Sequence, residues 1–493
     1  MIQPGISNIR HTIPRWNTTN TSIALGEMDS YNTAPKETIQ DQTVVLEKLL
    51  DEWKQEKSLP LAVEIISTSK FAGDSIDISD IKYYITNLKS SGIDLPVLVK
   101  RLICEPDDLM PESAMPLNYR NNINNTKKEL IQFPRNPLMW NELAREYLVS
   151  GQIKKSEKAM QIALGLAPDN RTIIRSAARL YIHIGDLDKA RHYLDNCNLI
   201  HVDPWVLASE IALMNQMNKS SRFIKCGREM LLSQSYSPLA LSELASELST
   251  MDFSAGNSKQ GKRKLQIVQN HLHENAFAQL VWVNKNVYDL SSVISEAPSP
   301  SCNYEAIAKI CYFTGMWNEA LRFAGEWLKY QPFSREPALL CSYVAADLVG
   351  DLPKAKEAIQ YGLMSNSDDS SIVNNFIYIS ILMNDFPTAE AYMKKAYTQF
   401  NVPANVLLTA TDGLLSYRTG HPDIGLLKYK EALSIASDQN DDFLQCTAAI
   451  YLAREEKQIG HDISFWLKYI DGYSKKNFFR DCIPLITAFE LRT

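Results

Sequence analysis

The chain has 493 residues, of which 45% are hydrophobic and 22% charged, and its formal net charge at pH 7 is −6. This length exceeds what one compact core usually supports, so either several domains or a fold that grows along one axis is expected. The acidic balance disfavours non-specific nucleic-acid binding, because such binding needs clustered positive charge.

The cysteines and the apolar runs indicate a protein of a reducing, aqueous compartment. None of the 8 cysteines forms a CxxC pair, and most stand beside aliphatic residues in helical patterns, as small buried hydrophobes do. The first residues lack the basic and then apolar pattern of a signal peptide, and the apolar run 376–383 is too short to span a bilayer. We therefore expect a cytoplasmic protein without a membrane segment.

Residues 1–42 form an N-terminal arm that is rich in Asn, Thr and Ser and has no sustained periodicity. That composition is typical of a flexible segment. However, Ile13, Arg15 and Trp16 lie in a stretch that is too apolar for a purely solubilising tail. The alternative is a docking arm, in which these three residues contact the chain's own fold or a partner.

Residues 43–118 show helical spacing without a clear repeat. Leu46, Leu49 and Trp53 mark one face of a first helix, and further helices are predicted, the last of them at 95–104. Two interpretations stay open for this region: a separate N-terminal helical domain, or degenerate repeats that cap the C-terminal remainder of the chain. The Pro-containing stretch 106–117 is the predicted boundary to the next region.

A repeat of about 34 residues begins at Pro137. Its first copy, 137–170, carries large and small residues at fixed positions, namely Trp140, Leu143, Ala144, Tyr147, Gly151, Ala163 and Pro168. This pattern resembles the tetratricopeptide repeat, in which two short antiparallel helices form each unit. The resemblance implies an all-α fold, a tetratricopeptide-type α-solenoid with a long concave surface that binds other proteins.

The repeat landmarks divide the rest of the chain into blocks. Repeats are predicted to start near residues 137, 171, 202, 242, 301, 336, 370 and 406. The landmarks fail between 271 and 300, where a Pro/Ser segment predicts an irregular joint. The predicted divisions are a first block at 119–270, the joint at 271–300, a second block at 301–440, and a degenerate repeat with a C-terminal cap at 441–493.

The resemblance also implies which side chains line the concave groove, because set positions of each repeat's first helix do so in tetratricopeptide proteins. In the first block these are Asn141, Arg145, Arg175, Arg179 and His183. Such a basic strip suits an acidic segment or a C-terminal carboxylate of a partner. The alternative is that the arginines pair with acids of their own or neighbouring helices, such as Glu142.

The groove positions of the second block are mostly aromatic or apolar. They are Tyr312, Phe313, Asn374, Tyr378, Leu414, Tyr417 and Arg418. Aromatic side chains are common interface anchors, so an extended or apolar peptide would fit them. Ordinary packing between helices is the competing explanation.

Motifs for catalysis, metal binding or cofactor binding are missing from the sequence. The stretch 256–263 approaches a phosphate-binding loop but has Arg263 where the motif needs Ser or Thr, and a helical repeat precedes it instead of a strand. A chaperone-binding clamp is not expected either, since Glu305 and Lys309 stand where that clamp has Lys and Asn. We therefore predict a protein that is not an enzyme and needs no cofactor or metal.

The predicted function is a protein–protein interaction scaffold or adaptor that works within a hetero-complex. A peptide-responsive sensor, with the joint at 271–300 as its hinge, is one alternative. An accessory subunit whose enzyme is a separate chain, for instance in a bacterial defence system, is another. The residues do not decide between these three.

Overall fold

The computed structural model describes residues 1–2, 4, 10–17, 42–72, 78–90, 119–233, 235–297 and 302–491. Within these ranges the secondary structure is entirely helical. The predicted helix at 95–104, the boundary at 106–117 and arm residues 18–41 lie outside the described residues. Of the helices in the described ranges, none has both the length and the apolar character needed to cross a membrane.

Three helices near the N-terminus surround a small core of their own. They are α1 (Gln42–Gln55), α2 (Leu59–Ala72) and α3 (Ser79–Ser90). Leu46 and Trp53 of α1 pack with Ile65 of α2 and Ile85 of α3. The Trp53 indole also donates a hydrogen bond of 2.9 Å to Asp80, which ties α1 to the start of α3.

The remaining helices form a continuous stack of helical pairs. Up to residue 297 they are α4 (Tyr119–Gln132), α5 (Pro137–Val149), α6 (Ile153–Leu166), α7 (Arg171–His183), α8 (Leu187–Asp195), α9 (Pro204–Gln216), α10 (Ile224–Leu232), α11 (Pro238–Ser254), α12 (Ser258–Val268), α13 (Glu274–Asn286) and α14 (Ser291–Glu296). They continue as α15 (Tyr304–Phe313), α16 (Trp317–Tyr330), α17 (Arg335–Tyr343, extended by a π-helical turn Val344–Val349), α18 (Leu352–Ser365), α19 (Ser370–Leu382), α20 (Phe386–Gln399), α21 (Val406–Arg418), α22 (Pro422–Asp438), α23 (Asp442–Gln458), α24 (Ser464–Asp471) and α25 (Phe479–Ala488). This is the all-α solenoid of paired helices that the repeat pattern predicts, and that prediction is confirmed.

Local signals start and pair the helices of each repeat. The Asn136 side chain accepts hydrogen bonds from the first free N–H groups of α5, and Asp369 does the same for α19. Small residues then let the two helices of a repeat approach closely. Buried Ser156 of α6, for example, donates a hydrogen bond of 2.7 Å to the carbonyl of Ala144 in α5. Residues that cap the helices and residues that let them pack closely therefore both contribute to the repeat pattern.

The segment 271–300, predicted as an irregular joint, contains the helical pair α13 and α14. Helix α13 packs between α11 and α15, so the stack of first helices continues through it. Because α14 is short, α15 begins only 30 residues after α13. The landmarks fail there because Tyr288 and Val293 stand where the repeat pattern has Gly or Asn and a small residue.

The stack curves until early helices meet later ones. Arg179 of α7 donates a hydrogen bond of 2.9 Å to Ser334, just before α17. His183 contacts the carbonyl of Ser365 at the end of α18 at 3.2 Å. We call this meeting of α5–α7 with residues 333–365 the seam.

Candidate functional site

The concave surface is occupied by the chain's own N-terminal arm. Residues 10–17, which we call the arm segment, have no helix or strand and lie along the first helices of successive repeats. Side chains of these helices hold its main chain. Glu247 of α11 accepts the Thr12 N–H at 3.0 Å, Gln279 of α13 donates to the Arg10 carbonyl at 3.0 Å, and Asn275 donates to the Ile13 carbonyl at 3.0 Å.

Two arginines of the arm segment meet one buried carboxylate, Glu305 of α15. Arg10 contacts both oxygens of Glu305, at 2.9 and 3.2 Å, and Arg15 donates to it at 2.6 Å. Lys309, one turn further along α15, lies 2.7 Å from the same carboxylate. Bidentate contacts of this kind are among the stronger hydrogen bonds in proteins. Glu305 is thus the main anchor of the arm segment.

The other polar ends of the Arg10 side chain are also satisfied. Its guanidinium donates to Gln279 at 3.0 Å and to Asn275 at 2.7 Å. The same two amide side chains therefore bind both the main chain and an arginine of the arm segment. The neighbouring residue His11 contacts Glu247 of α11 at 2.9 Å.

The carboxylates on the concave surface are ionised because cationic side chains lie next to them. Burial alone would raise the pKa of Glu305, but the charges of Arg10, Lys309 and Arg15 outweigh it and hold that pKa well below its ordinary value of 4.5. Burial likewise opposes ionisation of Glu243 on α11, yet Arg175 and His273 lower its pKa to about 2. This part of the concave surface therefore carries ionised carboxylates, and the arm segment supplies positive charge that pairs with them.

The arm segment ends against the seam. Trp16 is fully buried, and its ring lies edge-on to Phe333 at 5.8 Å between centroids. Asn17 then exchanges hydrogen bonds with Tyr330 and Gln331 at the end of α16. Trp16 is thus buried in this structure, Arg15 is half-buried with its side chain largely covered, and Ile13 takes part through its main-chain carbonyl.

Met1 and Ile2 lie further along the same surface and are buried. Asn374 of α19 donates a hydrogen bond of 2.7 Å to the Met1 carbonyl. Thr411 of α21 lies 2.8 Å from the Met1 nitrogen and donates to Asn374 at 2.8 Å. The described arm residues therefore reach first helices from α11 to α21.

The predicted basic residues of the first block lie against other parts of the chain. Arg145 and Glu142 are both buried and form an ion pair at 2.5 Å, and Asn141 beside them is buried as well. Arg175 pairs with Glu243 at 2.6 Å and stacks on Trp205. The arginine pairs match the alternative in which nearby acids neutralise the strip.

The last two residues of that strip lie in the seam rather than on an open surface. Arg179 stacks on Phe333, with its guanidinium carbon 4.8 Å from the ring centre, and burial lowers its pKa to about 10. Burial, together with the charge of Arg179, lowers the pKa of His183 to about 4. His183 is therefore neutral near pH 7 and serves the contact between α7 and α18.

The predicted residues of the second block divide between the arm, a polar network and the core. Asn374 holds the Met1 carbonyl. Tyr378 donates to Asp347 at 2.6 Å and accepts from Arg454 at 2.6 Å. Arg418 pairs with Glu455 at 2.9 Å, and Tyr417 donates to Glu456. Tyr312 and Leu414 are buried among other apolar side chains.

Phe313 lies apart from the others, at a second concavity. A cavity of about 1000 Å³ separates α13 to α15 from the C-terminal helix α25, and Phe313, Ile310 and Ile483 contribute apolar surface to it. Lys285, which lines this cavity, forms an ion pair of 3.0 Å with Asp481 of α25. In the part of the chain that the structure describes, no three His, Cys, Asp or Glu side chains are placed to hold a metal ion.

Several arm-binding residues were not among the predicted site residues. Glu247, Asn275 and Gln279 lie on α11 and α13, near or inside the segment where the repeat register fails, and Glu243 beside them accepts a hydrogen bond from Asn275. Counting from the helix starts would have recovered Asn275, the second residue of α13, but not Glu247 or Gln279, which lie off the positions that line the groove in tetratricopeptide proteins. Glu305 occupied a groove position in the sequence pattern, but its partners lie 290 and 295 residues away.

Comparison with solved structures gives weak likenesses of fold. The chain is similar to a human IFIT1 dimer with PPP-AAAA, at 14% identity over 77% of this chain and 96% of that chain, with a TM-score of 0.36. It is also similar to yeast Tom70, at 13% identity over 83% of this chain and 95% of that chain, with a TM-score of 0.29. No family model and no curated protein sequence matches the chain. These findings concern helical-repeat architecture alone and assign no ligand to this protein.

Proposed function

We propose that this protein is a non-enzymatic interaction scaffold whose concave surface binds an extended segment of a partner protein. The observation that carries the proposal is the way Glu247, Asn275 and Gln279 hold the main chain of residues 10–13. An extended chain has free N–H and C=O groups that need partners when buried. Side chains that satisfy them would bind other extended segments in the same way.

The first helices that make these contacts supply a long surface suited to such a role. Arm residues touch α11, α13, α15, α19 and α21, so a segment of many residues can be accommodated. A catalytic role has less support, since the buried carboxylates of this surface face cations or hydroxyl groups of the chain itself. A constitutive adaptor and an accessory subunit of a complex are both compatible with this surface.

An acidic partner segment, which the basic strip predicts, is the alternative ligand. It would need cations that are free to pair with it. Arg145 and Arg175 already face Glu142 and Glu243 at 2.5 and 2.6 Å. We therefore favour a ligand that brings positive charge, and binding of peptides that differ only in charge decides between the two.

The test is purification of the C-terminally tagged chain from its native host, followed by hydrogen exchange of the isolated complex. We expect a protein recovered in a fixed ratio, with slower exchange in α11, α13 and α15 or replacement of the arm segment, seen as faster exchange of residues 10–17. Protection confined to second helices such as α12 and α16 would contradict the proposal. Recovery of the chain alone would favour the peptide sensor over a constitutive scaffold.

A further inference from the structure

The arm segment supplies cationic partners for buried carboxylates of the concave surface. Four buried carboxylates, Glu243, Glu247, Glu274 and Glu305, face this part of the concave surface. Arg175 pairs with Glu243 and Lys309 with Glu305, whereas in the described part of the solenoid no cation forms an ion pair with Glu247 or Glu274. The arm meets both: His11 contacts Glu247 at 2.9 Å, and Arg15 lies 3.6 Å from Glu274. Arg10 and Arg15 also contact Glu305, at 2.9 and 2.6 Å. A segment that replaced the arm would meet the same unbalanced carboxylates.

The geometry of the two arginines is specific. Arg10 approaches Glu305 from the side of α13, where Asn275 and Gln279 complete its hydrogen bonds. Arg15 reaches the same carboxylate and lies 3.6 Å from Glu274. Trp16, the next residue, then packs on Phe333. The planar guanidinium suits such bidentate contacts better than an ammonium does, so lysine is a poor substitute at these positions.

The arm segment has the features of a ligand that can be exchanged. It has no helix or strand of its own, and side chains of the solenoid supply its main-chain hydrogen bonds to the fold. Because the arm is tethered, its effective concentration is on the order of millimolar, and a weak competitor in solution cannot replace it. A partner must match these contacts and extend them.

Resting on the proposed function, we infer that the arm is an internal competitor, and that the partner segment which displaces it carries two arginines spaced like Arg10 and Arg15, followed by an aromatic residue. The acidic concave surface selects this class of extended protein segment. The arm excludes from this surface peptides that lack these two arginines and the aromatic residue.

The test uses full-length protein and three labelled peptides. The first peptide has the sequence of residues 10–17, the second has citrulline in place of both arginines, and the third has glutamate there. Citrulline keeps the shape of the arginine side chain and removes its charge. Binding is measured by fluorescence anisotropy to the natural chain, to the double variant Arg10→Ala/Arg15→Ala, and to that variant with Glu305→Gln added. Hydrogen exchange of residues 10–17 reports whether the arm is released.

We expect the double variant to release its arm and to bind the arginine peptide about tenfold or more tightly than the natural chain does. The citrulline peptide should bind the double variant about tenfold or more weakly than the arginine peptide does, because the charge-assisted hydrogen bonds together contribute at least about 1.4 kcal/mol. Glu305→Gln should remove most of the preference for arginine over citrulline.

Other results would overturn the inference in distinguishable ways. Equal binding of all three peptides, or preference for the glutamate peptide, would refute the arginine selectivity and leave the scaffold function standing. An arm that stays protected in the double variant would show that the arginines do not hold it. A released arm with no peptide bound would count against the proposed function itself. If the double variant does not fold, arginine peptide at concentrations above the effective concentration of the tethered arm must still raise arm exchange in the natural chain, while the citrulline peptide does not.

Discussion

Buried glutamates of this solenoid differ in pKa according to the side chains that face them. Glu243 faces Arg175 and His273, which overcome burial and lower its pKa to about 2. Glu146 of α5 is also buried, but burial and then the charge of Glu142 raise its pKa to about 7, against a hydrogen bond of 3.1 Å from Thr126. One residue type therefore stabilises the fold when ionised at one site and destabilises it at another.

Glu146→Gln is expected to stabilise the protein at pH 8 and to have little effect near pH 4. In the unfolded chain a glutamate ionises near pH 4.5, whereas folded Glu146 keeps its proton to about pH 7. The folded state thus binds more protons between these values, and its stability falls as the pH rises from 4.5 to 7. The two pKa values limit the gain to about 3 kcal/mol. Urea unfolding at both pH values measures it.

Glu243→Gln is the matched control for that measurement. Folded Glu243 has the lowered pKa, so its contribution is present above pH 4.5 and is lost as the pH falls towards 2. The substitution should destabilise the protein at pH 7 by about 3 kcal/mol, because it leaves the largely covered Arg175 side chain without its anion. A Glu146→Gln effect that is the same at pH 5 and pH 8 would contradict the assignment.

At the scale of the helical elements, most of the repeats could be predicted because their signals are local. Helix α5 begins at the predicted Pro137, where Asn136 caps it and proline suits its first turn. The pair α13 and α14 escaped the repeat pattern because Tyr288 and Val293 replace its landmark residues. Its helical character was visible, but its place in the stack depends on packing against α11 and α15.

The contacts of the site divide in the same way. The pair of Arg145 with Glu142 joins positions three apart on one helix, so sequence alone suggests it. The pair of Arg175 with Glu243 joins residues 68 positions apart, and only the curvature of the stack brings them together. The arm segment has no periodicity at all. Its apolar composition indicated a docking role, but its partners are set by tertiary structure.

At the scale of the whole molecule, the seam links the first repeats to the arm. Phe333 is fully buried. Its ring is contacted by Arg179 and His183 of α7 and by Trp16 of the arm segment. The turn between α5 and α6 belongs to the same seam, since Gly151 lies against the Met364 carbonyl at the end of α18. Closure of the solenoid and occupation of its concave surface therefore share one contact region.

Gly151→Ala is expected to open the seam, with Gly185→Ala as its matched control. Both glycines end the first helix of a repeat with positive φ, +69° and +81°, so alanine at either costs about 1–2 kcal/mol of backbone strain. A Cβ at 151 would also overlap the Met364 carbonyl oxygen, whereas a Cβ at 185 meets no atom within 4 Å. We therefore expect Gly151→Ala to have the lower melting temperature of the two variants. Only Gly151→Ala should also show a larger radius of gyration by small-angle X-ray scattering and faster hydrogen exchange of residues 10–17. Identical behaviour of the two variants would mean that strain in the turns, and not the seam, limits stability, and that arm docking does not depend on closure.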